Sequence, residues 1–421
     1  MGKKTSQGKD GNKMATRRQV LQAGLGIAGA LATAPAQAAD ATAAPQGRPL
    51  GPGVDARPYG VPSPYEKKVV RRSLAWLTPT VESGVSFTPL QDLDGIVTPS
   101  GLCFERHHSG VPAINPDKHR LLIHGLCRRP LEFTLADLVR FPSASRILFV
   151  ECPANGSTEW RGAQINGLQF THGMIHCCEW TGVMLSTLLA EVGPLPAASW
   201  LLAEGDDAGR MARSLPMAKA LDDVMVAYSQ NGERIRPENG YPLRLIVPGW
   251  QGSVNVKWLH RIKLGDQPWN LREETSKYTD LMPDGKARQF TWKLEANSVI
   301  TFPCPEKPLR AKGPYEIRGL AWSGSGKVRR VDVSVDGGDT WRTASLQEPV
   351  LAQCLTRFRL PWLWDGGPAF LQSRVIDESG YVQPTIAALR TVRGVNSIYH
   401  NNAIQTWAVA PGGGVRNVQI L

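Results

Sequence analysis

Between about Tyr65 and about Pro308 the chain alternates short apolar runs with polar breaks. Leu121–His124, Ile147–Glu151, Trp200–Ala203 and Leu243–Val247 are brief and rich in branched or aromatic side chains, the pattern of buried strands. Leu185–Val192 and Met217–Leu221 place their apolar residues at helical spacing. In Phe133–Val139, Thr134 stands three residues before Asp137, which predicts a short helix with a capping box. Past about Pro308 the period becomes two. Tyr315–Trp322, Val328–Val335, Trp341–Ser345, Cys354–Leu360 and Ala369–Asp377 alternate as strands, and Asp336-Gly337-Gly338-Asp339 and Asp377-Glu378-Ser379-Gly380 punctuate them as turns. Regular short strands without helices predict a sandwich of immunoglobulin type. The expected fold class is therefore α+β: a mixed α/β domain over 65–308, then an all-β sandwich over 309–421. The polar and aromatic tail Gly394–Gln405 either wraps a neighbour or packs on its own subunit.

The N-terminus is of another character. Lys3, Lys4, Lys9, Lys13, Arg17 and Arg18 precede a weakly apolar stretch from Val20 to about Ala34, and Ala36-Gln37-Ala38 offers a small-residue cleavage site. Thr16-Arg17-Arg18-Gln19-Val20-Leu21 is a twin-arginine pattern, so 1–38 reads as a signal for export of an already folded protein to the periplasm. That route favours a cofactor inserted before export. Residues 39–64, Ala-, Gly- and Pro-rich, read as an extended arm. The apolar stretch is too short for a membrane span, which needs ~20 residues.

The signal holds six Lys and Arg against Asp10, so five of the formal +11 leave with it and about +6 remains. A modest positive balance suits an anionic small substrate or an acidic partner. No basic run interleaves with aromatics, which argues against nucleic acid. The seven cysteines are odd in number and lack framework spacing, and Cys177-Cys178 reads as one thiol to each face of a strand. Without Cys-x-x-Cys-His, this chain carries no covalent c-type haem.

Five segments carry candidate chemistry. In Leu148-Phe149-Val150-Glu151-Cys152-Pro153-Ala154-Asn155-Gly156 a strand ends at a cysteine and turns, which suits a metal ligand. Cys103-Phe104-Glu105-Arg106-His107-His108 offers an arginine fork and two imidazoles to an oxoanion. Arg244 lies inside the apolar run Leu243–Val247, where a charge is costly unless an anion or an acid pairs with it. Gln251-Gly252-Ser253-Val254-Asn255-Val256-Lys257 can present backbone N–H groups and a cation to a phosphate. Lys277-Tyr278-Thr279-Asp280 supplies a tyrosine. Singly, each has a plainer reading as core filler, surface loop or packed aromatic.

Together these segments resemble the sulfite oxidase family of molybdenum enzymes over nearly the whole chain beyond the signal. Glu151-Cys152-…-Asn155 is similar to the family's ligand loop, with Pro153-Ala154 in place of Ala-Gly. Phe104-x-Arg106-x-His108, Gly240-Tyr241-Pro242-Leu243-Arg244 and Val256-Lys257-Trp258-Leu259 are similar to its cofactor segments, and Tyr278 falls at the spacing of its active-site tyrosine. Asn239 stands where many members carry a histidine, and His107 where asparagine is common. Within the family, Trp160-Arg161-Gly162, Gln169–Gly173, Glu179–Gly182 and the Asn396–Trp407 tail look most like the sulfane dehydrogenase (SoxC) branch.

The resemblance implies molybdenum with one molybdopterin. Cys152 would be the metal ligand, and Arg106 and Tyr278 would handle an anionic sulfur substrate. Phe104, His107, His108, Asp207, Asn239, Arg244, Asn255, Val256 and Lys257 would line the pterin. It also implies a c-type cytochrome as electron acceptor, a sulfur-carrier protein as substrate, and a homodimer through the sandwich within a heterotetramer. The competing readings are a dehydrogenase of free sulfite, a periplasmic sulfoxide-repair reductase, and a cofactor-free sandwich protein for binding.

Overall fold

The computed structural model describes Gly2, residues 62–78, 80 and 82–420. The twin-arginine segment and nearly all of the arm expected over 39–64 lie outside the described residues. The chain divides into two compact units, Met1–Lys67 and Lys68–Leu421. In the first, Ser63 caps the 3-10 turn Pro64–Glu66. Everything below belongs to the second. Among the described residues no helix is long and apolar enough to cross a membrane.

Two sheets build the mixed domain. One runs Glu233–Arg234, Met225–Gln230, Ile175–Met184, Ser143–Glu151, with Arg244–Ile246 also paired to Met225–Gln230. The other runs Leu131–Phe133, Leu121–Gly125, Leu259–Gly265, Trp200–Gly205, Ala212–Pro216, and its Leu121–Gly125 and Leu259–Gly265 pair in parallel. The helices Leu185–Val192 and Met217–Asp222 pack with both sheets into one apolar core. Thr134 caps the helix Leu135–Leu138, and the Asp137 carboxylate accepts from the Thr134 N–H in return, as the spacing predicts.

Strand alternation divides the first sheet between two cores. Leu148, Val150, Cys178 and Trp180 face the inside of the mixed domain, whereas Phe149 and Cys177 join the apolar cluster of the sandwich. The Phe149 N–H also donates to Gln353 O at 3.0 Å. The core of the second domain is thus closed by one face of the strand that leads to Cys152.

The sandwich consists of two antiparallel sheets, Asn297–Phe302, Gly313–Trp322, Thr356–Trp364, Ser345–Leu346 and Arg342–Thr343, Val328–Ser334, Ala369–Asp377, Thr406–Val409, Val415–Val418. Its first strand, Asn297–Phe302, begins ahead of the boundary expected at 308/309. The Pro-rich segment ahead of that boundary is a tight turn inside the sandwich, with Cys304 and Lys307 exchanging backbone hydrogen bonds. The strand expected over Trp341–Ser345 splits at buried Ala344: Arg342–Thr343 pairs in one sheet and Ser345–Leu346 in the other. The chain therefore crosses between sheets there. A helix, Ile386–Arg393, follows the strands where none was expected.

The tail packs on its own subunit. His400 N–H donates to Pro153 O at 2.7 Å, and Asn402 Nδ2 donates to Ala296 O at 3.0 Å. Buried Arg393 and Ser397 both bind the Asp280 carboxylate, at 2.9 and 2.6 Å, and so fix the segment that carries Tyr278.

The domains meet closely at two glycines. A Cβ on Gly249, whose φ is +73°, would stand 2.3 Å from Gly324 O, while Gly232 (φ +76°) has open space. Gly232→Ala should therefore cost about 1–2 kcal/mol from left-handed strain alone. Gly249→Ala should cost clearly more, because backbone must move; denaturant midpoints of the two variants compare them. Buried Glu159 accepts from Asn417 Nδ2 at 3.0 Å and Thr158 Oγ1 at 3.1 Å, yet burial pushes its carboxyl up to about 7. The folded state then holds this proton more tightly than the unfolded chain. Its contribution is full below about pH 4.5 and declines by at most about 3 kcal/mol as pH rises to about 7. Glu159→Gln should flatten that part of the stability–pH curve in urea unfolding.

Candidate active site

The site begins with a turn. Ser143–Glu151 ends at Cys152, whose N–H donates to Met174 O at 3.0 Å, and Asn155 N–H closes back on Cys152 O at 2.9 Å. Gly156 follows at φ +75°, with its N–H on Thr171 O. Pro153 and Ala154 are accommodated in this turn, and Pro153 O accepts from the tail. Glu151 is buried, with Oε1 accepting from Asn155 Nδ2 at 2.9 Å and Oε2 from Trp322 Nε1 at 2.8 Å. One carboxylate therefore ties the ligand turn to the sandwich.

Cys152 opens onto a cleft. Every residue singled out in the sequence lines it: Phe104, Arg106, His107, His108, Cys152, Asp207, Asn239, Arg244, Asn255, Val256, Lys257 and Tyr278. The short strand pair Val85–Ser86 and Glu105–Arg106 positions the first group, and His107 Nδ1 lies 2.9 Å from Glu105 Oε1. Arg106 Nη1 donates to His107 O at 3.1 Å and Gly84 O at 3.3 Å.

The cleft is cationic. Arg244 is 4% exposed, lies over the Trp180 ring at 5.2 Å, and donates to Asn239 O at 2.9 Å and Asn255 O at 3.3 Å. Among the described residues no carboxylate pairs with it. Burial lowers it only to about 10, so it stays charged at neutral pH. Lys257 Nζ donates to Arg106 O and Glu238 O, both at 2.9 Å, which leaves one N–H for a ligand. Burial, helped by Arg244, brings Lys257 down to about 7, and a bound anion would hold its proton on. Desolvation in the cleft and the charge on Arg106 push His108 down to about 4, so it meets a ligand as neutral imidazole.

Tyr278, at φ +53°, lies between the Arg213 guanidinium, 5.1 Å from its ring, and Tyr399, whose ring is 5.3 Å away. Burial raises its phenol, which therefore stays protonated and can donate. Burial likewise raises the Cys152 thiol, so a metal must displace a proton to bind there.

A family model for the oxidoreductase molybdopterin binding domain matches residues 108–272, and one for the Mo-co oxidoreductase dimerisation domain matches 288–407. The chain is 32% identical over 327 residues to sulfite oxidase of Gallus gallus, covering 72% of this chain and 71% of that one. The chain belongs to the sulfite oxidase family. It is 30% identical over 344 residues to mitochondrial sulfite oxidase of Mus musculus, covering 74% of this chain, but spans only 62% of that protein's length. Of the NADH nitrate reductase of Ulva prolifera, 29% identical over 348 residues and 73% of this chain, it spans 40%. The solved sulfane dehydrogenase SoxCD from Paracoccus pantotrophus superposes with a TM-score of 0.86 at 53% identity, over 89% of this chain and 96% of that one.

The residues present fit the family's molybdopterin. A buried cation without an acid suits a phosphate. Asn239, 1% exposed, has both amide atoms unpartnered, as a ring with donors and acceptors requires. One expectation needs correcting. The Asn255 side chain is fully engaged by backbone, with Oδ1 accepting from Val247 N–H at 2.8 Å and Nδ2 donating to Gln251 O and Trp250 O. It shapes the loop that carries Lys257, and with both amide protons spent on backbone it has no side-chain donor left for the cofactor. Sequence reasoning also missed two residues. His176, 1% exposed with both ring nitrogens unpartnered, lines the cleft, and buried Arg213 stands over Tyr278. Both are polar residues inside apolar strand runs, the signal that had found Arg244.

Arg244→Met should lower the pterin content of purified protein at least tenfold. Cys152→Ser should retain pterin, read by the fluorescence of its oxidised form, and lose activity.

Proposed function

We propose that this chain is the molybdenum subunit of a periplasmic sulfane dehydrogenase. It would oxidise sulfur carried on a protein cysteine and pass electrons to a c-type cytochrome. The observation that carries this reading is the likeness to sulfane dehydrogenase SoxCD along nearly its full length. A positively charged cleft supports an anionic sulfur substrate. The dimerisation-domain match over 288–407 supports a homodimer through the sandwich, and the twin-arginine pattern supports export after folding.

When bound, the molybdenum centre supplies two-electron oxidation at sulfur. The protein's own residues bind and orient. Cys152, deprotonated on ligation, holds the metal at the end of a strand anchored from both domains. Arg244, Lys257 and neutral His108 receive the phosphate and ring of the pterin, with Asn239 and Asp207 as hydrogen-bonding partners. The Asp207 Oδ1 also accepts from Met211 N–H at 3.0 Å, which fixes its orientation. Arg106, charged and held by two carbonyls, draws the anionic end of the substrate toward Cys152. Tyr278 donates a hydrogen bond from its protonated phenol, and Arg213 and Tyr399 keep its ring in place.

Free sulfite is the competing substrate, favoured by the sulfite oxidases among the relatives. Turnover of holoenzyme with a thiosulfonate-loaded carrier protein should exceed that with free sulfite at equal concentration. Faster turnover of free sulfite would assign the chain as a sulfite dehydrogenase. Purified protein without near-stoichiometric molybdenum would overturn both. Arg106→Met should raise KM for the anionic substrate at least tenfold while molybdenum content stays unchanged.

A further inference from the structure

One wall of the cleft contains a cluster that the oxidation chemistry leaves unused. Cys177 and Cys178 are consecutive on Ile175–Met184, so their thiols leave opposite faces of the sheet. Cys177 Sγ lies 3.3 Å from Cys354 Sγ on the sandwich side, and Cys178 Sγ lies 3.3 Å from Cys103 Sγ on the other. The second pair has a third donor. A ring nitrogen of His176 and the two sulfurs all lie within 4.8 Å of one another. Cys103 and Cys178 are 0% exposed and His176 is 1% exposed.

We infer that Cys103, Cys178 and His176 form a buried binding site for a thiophilic monovalent ion of the Cu+ class. Two thiolates and an imidazole are the soft donor set that selects Cu+ and Zn2+ over harder ions. With metal–ligand bonds of about 2.0–2.3 Å, a trigonal arrangement spaces its donors about 4 Å apart. The sulfurs, 3.3 Å apart, need open by only about 0.7 Å.

The surroundings are those of anionic sulfur. Gln230 Nε2 donates to both atoms, at 3.3 Å to Cys103 Sγ and 3.2 Å to Cys178 Sγ. One amide group turned on two sulfurs stabilises thiolates, whereas the sulfurs of a neutral disulfide are poor acceptors. Both nitrogens of His176 otherwise lack a partner, as does Gln230 Oε1.

Charge selects the ion. The buried Arg244 guanidinium acts on both thiols and has no carboxylate of its own. A thiol and a thiolate sharing one proton carry a single negative charge. Exchange of that proton for Cu+ forms two metal–sulfur bonds, releases the proton to solvent, moves no electron and preserves the charge. Zn2+ would cancel it and leave Arg244 uncompensated on this side.

Both sulfurs are shut off from solvent, and of the three donors only His176 lines the cleft. The test is metal analysis of holoenzyme purified from cells grown with both copper and zinc. About one copper per chain is expected beside molybdenum. It should fall at least tenfold in Cys103→Ala and Cys178→Ala, with molybdenum unchanged, and persist in Cys177→Ala. Should those variants fail to fold, copper-edge X-ray absorption of the wild-type protein should show two sulfur neighbours and one nitrogen. Copper below a tenth per chain, zinc in its place, or a Cys103–Cys178 disulfide on peptide mapping would each overturn the inference.

Discussion

One buried carboxylate holds the ligand turn from both domains. Glu151 accepts from Asn155 within the turn and from Trp322 across the domain boundary, and both donors are themselves buried or nearly so. An unmet donor in that place would cost about 1–3 kcal/mol, so the pairings specify where the turn sits relative to the sandwich. The position of Cys152 is therefore a property of two domains. The same holds for Tyr278, fixed through Asp280 by Arg393 and Ser397 of the second domain. The sandwich domain thus supports two of the three residues nearest the chemistry.

The second constraint is uncompensated charge. Arg244 is buried against Trp180 and carbonyl oxygens, and Lys257 against two more carbonyls. Dipoles of this kind offset part of the desolvation cost, and a phosphate offsets the rest. The cofactor would bind the folded state far better than the unfolded chain, so its insertion and the stability of the fold are linked.

Much of this was legible in the chain. The helix Leu185–Val192 has the limits its apolar spacing predicts, because a single face meets the core. The capping box at Thr134 formed because both partners lie within one turn. The twelve site residues were legible through the family resemblance, and Arg244 also by itself, because a charge inside an apolar strand must find a ligand or a partner. Where sequence reasoning failed, distant contacts decided. The change of period near 308 looks like a domain boundary until Asn297–Phe302 is seen to pair with Gly313–Trp322. Asn255 looks like a ligand residue until its amide is seen to be engaged by its own loop.

Local pattern alone determined the expected fold class and the strand that ends at Cys152, and it marked Arg244, since periodicity and the cost of burying charge act along the chain; the other cofactor-site residues came from the family resemblance. Tertiary structure decided which side of each strand meets which core, how the tail Gly394–Gln405 lies, and which cysteines approach one another. Phe149 and Leu148 are neighbours in sequence, yet they belong to different domains' cores because successive side chains leave opposite faces of a sheet. Cys177 and Cys178 follow the same rule. No pattern in the chain could have named Cys354 and Cys103 as their partners, because those contacts exist only once separate strands and loops have packed.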